Sequence, residues 1–511
     1  MGWELSSPTD LLGSRKRPAD TAGIEEWLLS APSAAAVGAV LALDTLAWGG
    51  LIPSRQSGTD LAAALRRLDA LRRLKAERPE LTLLAYSSIQ RVSRDDDDAE
   101  EPDYYRQHGR AIFRRSVLEH RRLALTPTTD EAAELEELRR RVPASVWADQ
   151  LAIRERTATV NLAALELVKD GVIDALVLNQ DDTVEWGLNV MHRERLEREV
   201  RRGRLEDRVL VYPGADEVGQ VLLARLAVAA AGRPPRVSAF YSSRRGADVR
   251  TAYEDRPLGD LVTVHLRAAG AIQAPPGGPV DLWLAVNSPS KAQGQGGVNH
   301  ALAHAAAHPG ALTGEELAAL ERAEAPVDGL DRSLPAFRAT LRAALEDGAR
   351  VTLADVAHVN GADDVLMTGL AGDGVLGRLS GYGGWNTAGN SLGSAVALGC
   401  LAAVGADPAG LRLAVAARLV DDWLYQARTR TRLLLEPELE PLGLGGFLTE
   451  AQEAPVAERA RTSVNAELQA FGLPYHLARL AFPWRRVFEI DYDLRPGAVA
   501  DAAAGVAEVG A

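Results

Sequence analysis

The sequence predicts an α/β protein: repeated β-α units forming a mostly parallel sheet, (β/α)-barrel-like or doubly wound, with a mainly helical C-terminal portion. Three observations predict it. Short apolar runs bounded by turn residues recur as far as Val286, stretches of helical spacing separate them, and several runs end in carboxylates or amides. Continuous apolar runs mark strands covered on both faces, as in parallel sheets.

Taken in order, residues 40–44 form the first buried strand, running into Asp44-Thr45 and then Gly49-Gly50-Leu51-Ile52-Pro53-Ser54-Arg55. Residues 61–75 have amphipathic helical spacing, and 81–86 form the next strand, ending near Gln90 and Arg91. Asp95 to Asp98, with Glu100 and Glu101, read as a solvated loop, because consecutive aspartates lack the spacing and glycine turn of a calcium loop. Residues 103–170 are helical by period, with Pro143 breaking two long helices that form an insertion capping the sheet.

Strand and helix then alternate. Residues 175–178 lead into Asn179, Asp181 and Asp182; residues 209–212 lead through Pro213-Gly214 to Asp216-Glu217, and helical spacing resumes over 218–231. Residues 237–241, 261–265 and 282–286 read as further strands, the last followed by Asn287. About seven strands to this point suit either an open sheet or most of a barrel. The expected domains are 1–295, α/β with the insertion; 296–350, a helical linker region; and 351–511, mainly helical, containing a Gly-Trp-Asn loop. Within the last portion lie a strand at 351–355, Asn360-Gly361-Ala362-Asp363, which echoes Gly214-Ala215-Asp216, and Gly384-Trp385-Asn386-Thr387 before a helix over 392–404. The alanine-rich tail 498–511 carries little information.

Composition narrows the chemistry. A formal net charge of -13 argues against nucleic acid. The single cysteine, Cys400, excludes an intramolecular disulfide and a multi-cysteine metal cage. No stretch is long and apolar enough to cross a bilayer and no secretory signal opens the chain, so the expected location is cytoplasmic. Apolar helix faces in the last third are where a homo-oligomer would pair. Nine histidines include no His-Glu-x-x-His spacing, and the helical recurrence of His300, His304 and His308 reads as packing or surface. Marks of a P-loop, a dinucleotide fold and a serine nucleophile elbow are absent.

Carboxylates, amides, arginines and aromatics at strand ends remain, and this inventory suits a carbohydrate-type small molecule. Glycoside cleavage needs one protonated carboxyl group and a second carboxylate or its equivalent. The Asp-Glu pair after the 209–212 strand resembles the arrangement in substrate-assisted N-acetylhexosaminidases, which makes Glu217 the acid, Asp216 the orienter and Asp182 a partner. Asp44, Arg55, Arg91, Asn179, Asp181, Asn287, Asn360, Asp363, Trp385 and Asn386 are the candidate binding residues. This reading needs no cofactor. Its alternatives are a Mg²⁺ or Ca²⁺ site on Asp44, Asp182, Asp216 and Asp363 handling a phosphorylated or polyhydroxy molecule, and a non-catalytic sugar-binding protein.

The same stretches, together with Glu254-Asp255-Arg256-Pro257, resemble in order a bacterial family of unknown function, DUF4127. The resemblance spans nearly the whole chain and implies no reaction. It further implies an opening strand leading to an Asp-Glu-Arg-Pro motif, which this sequence, starting at Met1-Gly2-Trp3, lacks. If that motif contributes to the site, this copy is expected to be shortened, misassigned at its start, or impaired.

Overall fold

The computed structural model describes residues 2–30, 36–56, 58, 60–307, 313–436, 438–439, 442 and 446–497. The tail at 498–511 and His308 lie outside them, as does the side chain of His304.

Two parallel sheets carry the fold. The first runs β1 (Gly38–Ala42), β2 (Thr82–Ile89), β3 (Ala175–Gln180), β4 (Val209–Pro213), paired in chain order. The second holds β5 (Arg236–Tyr241), β6 (Ile272–Gln273), β7 (Leu282–Asn287), β9 (Val351–Asp355) and β11 (Gly381–Gly383) in the order β11-β9-β7-β5-β6. Two short strands, β8 (Gly294–Gln295) and β10 (His358–Val359), pair with each other, and β12 (Tyr475–Ala481) with β13 (Asp491–Pro496) forms an antiparallel ribbon.

Alternation along each strand divides the side chains between cores, because successive residues point to opposite faces. In the first sheet Leu83, Ala85, Leu176 and Leu178 face the Leu61–Glu77, Ala144–Lys169 and Leu188–Gly203 helices. Leu84, Val177 and Tyr212 face a second core that also receives Leu284 and Val286 from the second sheet. The Val218–Ala230, Leu258–Ala268 and Ala388–Ala403 helices fill that shared middle layer. On its far side the second sheet shares a core with the Leu334–Glu346 and Asp364–Gly372 helices, and this core continues into the Glu450–Ala470 helix.

Three expectations change. Residues 261–265 lie in the Leu258–Ala268 helix, not in a strand: the apolar run Leu261-Val262 fits either period, and Pro257 begins a helix burying Leu258, Leu261, Val262, His265 and Leu266. The insertion has three helices, Tyr105–Ala124, Thr129–Arg141 and Ala144–Lys169, the second opened by a Thr128/Glu131 capping box. The boundaries placed at 295 and 351 cut through one sheet, since β9 pairs with β7 and β11 with β9.

The Ala388–Ala403 helix is buried almost throughout, which its small residues permit. A Cβ at Gly393 would fall on Glu217 Cγ, and one at Gly389 would lie 2.6 Å from the Pro213 carbonyl oxygen. Overpacking outweighs the gain in helix propensity, so Gly393→Ala is expected to cost roughly 2 kcal/mol, read as a lower urea midpoint with an unchanged m-value. An unchanged midpoint would show that Glu217 turns aside at no cost.

Candidate functional site

In a parallel sheet every strand delivers its carboxyl end to one edge, and here the carboxyl edge of the first sheet and the segment after β11 of the second open onto a cleft of about 810 Å³. Segments following β1, β2, β3, β4 and β11 line it, joined by the 484–489 loop ahead of β13. Among the described residues seven non-glycine residues have positive φ, and five of them, Arg15, Asp182, Tyr253, Asn360 and Asn386, line this cleft. Strain of this kind concentrates where neighbours fix a side chain's direction.

One wall is an ion-pair network. Arg55 donates to Asp181 at 2.5 Å, to Glu101 at 3.2 Å and to Glu100 at 3.3 Å. Arg91 donates to Glu101 at 2.9 Å, Asp182 at 3.0 Å and Glu100 at 3.1 Å, and Arg486 reaches Glu100 at 3.0 Å. Burial works to raise Glu100, but Arg91, Arg55 and Arg486 pull its carboxyl down to about 2. Asp182 moves the other way, raised by burial and by its neighbour Asp181 against the pull of Arg91. Charge here is fixed and largely dehydrated.

Asp216 faces this network across the cleft. Gly214, at φ +139°, follows β4 in a turn closed to other residues, and beyond it Asp216 and Glu217 diverge. The Asp216 carboxylate accepts hydrogen bonds at Oδ2 from the amide groups of Asn386, at 2.7 Å, and Asn390, at 2.9 Å. Asn390 also accepts from the backbone N–H groups of Ala215 and Asp216, so one amide holds both loop and side chain. Asp216 is exposed on the cleft side, and protein surrounds the rest of its side chain. Desolvation, opposed by Asn386 and aided by Glu217, Asp181 and Asp182, pushes it up to about 7.

The remaining wall carries Trp385, half-buried and 5.8 Å from Phe488 between ring centres, and Asn360. Trp385→Ala is expected to weaken binding of a stacked ligand about tenfold while sparing the fold, measured by calorimetry. Unchanged affinity would remove the indole from the binding surface.

Arg55, Arg91, Asp181, Asp182, Asp216, Asn360, Trp385 and Asn386 therefore meet at one cleft. The other candidates lie elsewhere. Asp44 sits in the Leu43–Trp48 helix beyond β1, buried, accepting from the Ser88 N–H at 2.8 Å; desolvation raises it to about 6. Asn179 is an internal strut, donating to Ser88 Oγ at 3.1 Å and to the Gly214 carbonyl at 3.0 Å. Asn287 and Asp363 belong to a buried cluster at the ends of β7 and β9, where Asn287 donates to Asp355 at 2.8 Å and to Asp363 at 3.1 Å and Arg332 pairs with Asp363. Glu217, expected as the acid, does not line the cleft; it is 1% exposed and points into the middle helical layer. Asp44, Asp182, Asp216 and Asp363 are not gathered, and among the described residues no three His, Cys, Asp or Glu side chains converge as metal ligands.

Sequence reasoning missed Glu100, Glu101 and Asn390, and it marked Arg486, within the polar Trp484-Arg485-Arg486 stretch, without giving it a role. The first two were read with the exposed Asp95 to Asp98 as solvated loop, although Glu101 is 4% exposed. Arginines at the ends of two neighbouring strand units were the available signal that buried acids must answer them. His300, at the helical recurrence, pairs with Asp364 at 3.0 Å as internal packing. Among the described residues no helix is long and apolar enough to cross a membrane.

No curated protein and no solved structure matches the chain. The segments lining the cleft after β1, β3, β4 and β11 are those that carried the resemblance, and a family model covers them within a match to residues 1–493: the chain belongs to the family described as protein of unknown function (DUF4127).

Proposed function

We propose that the cleft is the active site of a carboxylate-dependent hydrolase acting on a carbohydrate-type substrate, with Asp216 as its general acid. The observation that carries this reading is the state of Asp216: pushed up to about 7, fixed at Oδ2 by two amide donors, and with no hydrogen-bond partner at Oδ1 among the described residues. A carboxyl group held this way keeps its proton on Oδ1 near neutral pH and gives it up when a leaving oxygen needs it.

In the proposed reaction Asp216 protonates the glycosidic oxygen as its bond to the anomeric carbon breaks. Asp182, across the cleft, is the second carboxylate, offsetting positive charge at that carbon or taking a proton from the attacking water. The dehydrated network around Arg55 and Arg91 holds Asp181 and Asp182 in place, so little reorganisation accompanies the charge change. Trp385 offers an aromatic face to a sugar ring, and Asn360 and Asn386 offer amides to its hydroxyls.

The test is a panel of chromogenic glycosides, N-acetylhexosaminides included, with and without chelator. Chromophore release indifferent to chelator supports the proposal. Sugars that raise the melting temperature without any product would replace it with a binding protein, and recovery only on adding Mg²⁺ or Ca²⁺ would replace it with a metal enzyme.

A further inference from the structure

Beneath Asp216 the shared helical layer encloses a carboxylate without a hydrogen-bond partner. Neither oxygen of Glu217 has one among the described residues, and the side chain is fully shielded from solvent. Leaving such a group ionised and alone is strongly unfavourable. His265, on the Leu258–Ala268 helix, places Nε2 3.4 Å from Glu217 Oε1 and is itself 0% exposed. Its Nδ1–H donates to the Leu261 carbonyl at 2.8 Å, so Nε2 can carry a proton toward Glu217 only as imidazolium. The Tyr212 ring closes the site with its centre 4.6 Å from that of His265. Gly393 leaves the room Glu217 occupies.

We infer that Glu217 and His265 form a buried ion pair behind the Pro213–Glu217 turn, and that Glu217 is a positioning residue that aims Asp216 into the cleft and sets the pH at which it releases its proton. The inference rests on the reading of Asp216 as the acid. Three helices of the middle layer meet at this pair: Glu217 caps Val218–Ala230, His265 belongs to Leu258–Ala268, and Gly393 to Ala388–Ala403. With Glu217 anchored inward, its neighbour is left to Asn386 and Asn390 on the cleft side. The ion pair has no net charge, but its negative end is the residue next to Asp216, so that end dominates the field there.

The other groups facing these two residues are few. Asp181 and Asp182 from the end of β3 act on Asp216, and Asn386 and Asn390 are neutral. Tyr86 of β2, Tyr212 of β4 and Glu254, which accepts from the Gly389 N–H at 2.8 Å, surround Glu217. Burial raises all three and so favours their neutral forms. Glu217 is then the internal anion whose removal the Asp216 titration registers.

The experiment is a carboxyl ¹³C NMR titration of the full chain labelled at aspartate, with the Asp216 signal assigned by its loss in Asp216→Asn. In Glu217→Gln the Asp216 midpoint is expected to fall, its acid dissociation constant rising about tenfold. His265→Gln should give the same shift, because Glu217 deprived of its cation takes up a proton in the core. The double variant should shift no further than either single one, whereas independent effects would add. An unmoved midpoint in a folded Glu217→Gln overturns the inference, as do additive shifts. If Glu217→Gln does not fold, His265→Gln carries the same test. No substrate enters this measurement, so silence of the glycoside panel would count against the hydrolase and leave the ion pair standing.

Discussion

Asp216→Asn is expected to lower turnover by about 10²–10⁴-fold, the range in which a positioned general acid contributes. The replacement is close to isosteric and its carbonyl oxygen can still accept from Asn386 and Asn390, so KM should change little. Stability supplies an independent check. In the folded protein Asp216 is pushed up to about 7, whereas the unfolded chain has an ordinary aspartate. Between the two values the folded state binds the extra proton, so wild-type stability falls as pH rises from about 4 to about 7 through this group. The asparagine variant lacks that contribution. Its stability relative to wild type should therefore increase over the same window, measured by denaturant titrations at several pH values. A relative stability that does not change with pH would show Asp216 to be ordinary and would remove its role as acid.

Arg55→Ala is expected to cost about 3–5 kcal/mol, the loss seen when one partner of a buried ion pair is removed and the other charges stay. Arg55 is 4% exposed in its side chain, while Glu101 and Asp181 are 5% and 8% exposed. Without the guanidinium, Glu101 keeps Arg91 but Asp181 loses its 2.5 Å partner. Arg55→Lys should recover only part of the loss, because one ammonium cannot serve three carboxylates with a guanidinium's fixed fork. Removing Asp181 and Arg55 together should cost less than the sum of the single changes, as a double-mutant cycle by urea denaturation would read. Additive costs would mean the network is solvated and loosely held.

Both results bear on the cleft because rigidity and acidity have one source there. The network holds Asp181 and Asp182 opposite Asp216, and both act to raise the pH at which Asp216 releases its proton. Weakening the network should shift the acid as well as the fold.

Most of the α/β framework was legible in the sequence. Apolar runs bounded by Gly, Pro and Asp placed β2, β3, β4, β5, β7 and β9 to within a few residues, because a strand buried on both faces needs a continuous apolar run. β11, with its glycines, and the polar ribbon of β12 and β13 carry no such run, and their pairing partners supply what local pattern does not. Half the site was visible for the same reason: strand ends deliver Asp181, Asp182 and Asp216 to one edge. The role of Arg486 was not, since its partner Glu100 lies 386 positions away in the chain.

The sequence by itself determined which residues sit at strand ends, and tertiary structure decided which way they turn. Asp216 and Glu217 are neighbours of like chemistry, yet one meets two amides at the cleft and the other a histidine in the core. Asp363, in a stretch that echoes the Asp216 turn, caps the Asp364–Gly372 helix and is locked by Asn287 and Arg332. Strand and helix periods arise from local backbone geometry and leave their mark in spacing. The direction of a carboxylate beyond a turn depends on room and partners brought from distant segments: Gly393 leaves space for Glu217, and Asn390 supplies the donor for Asp216.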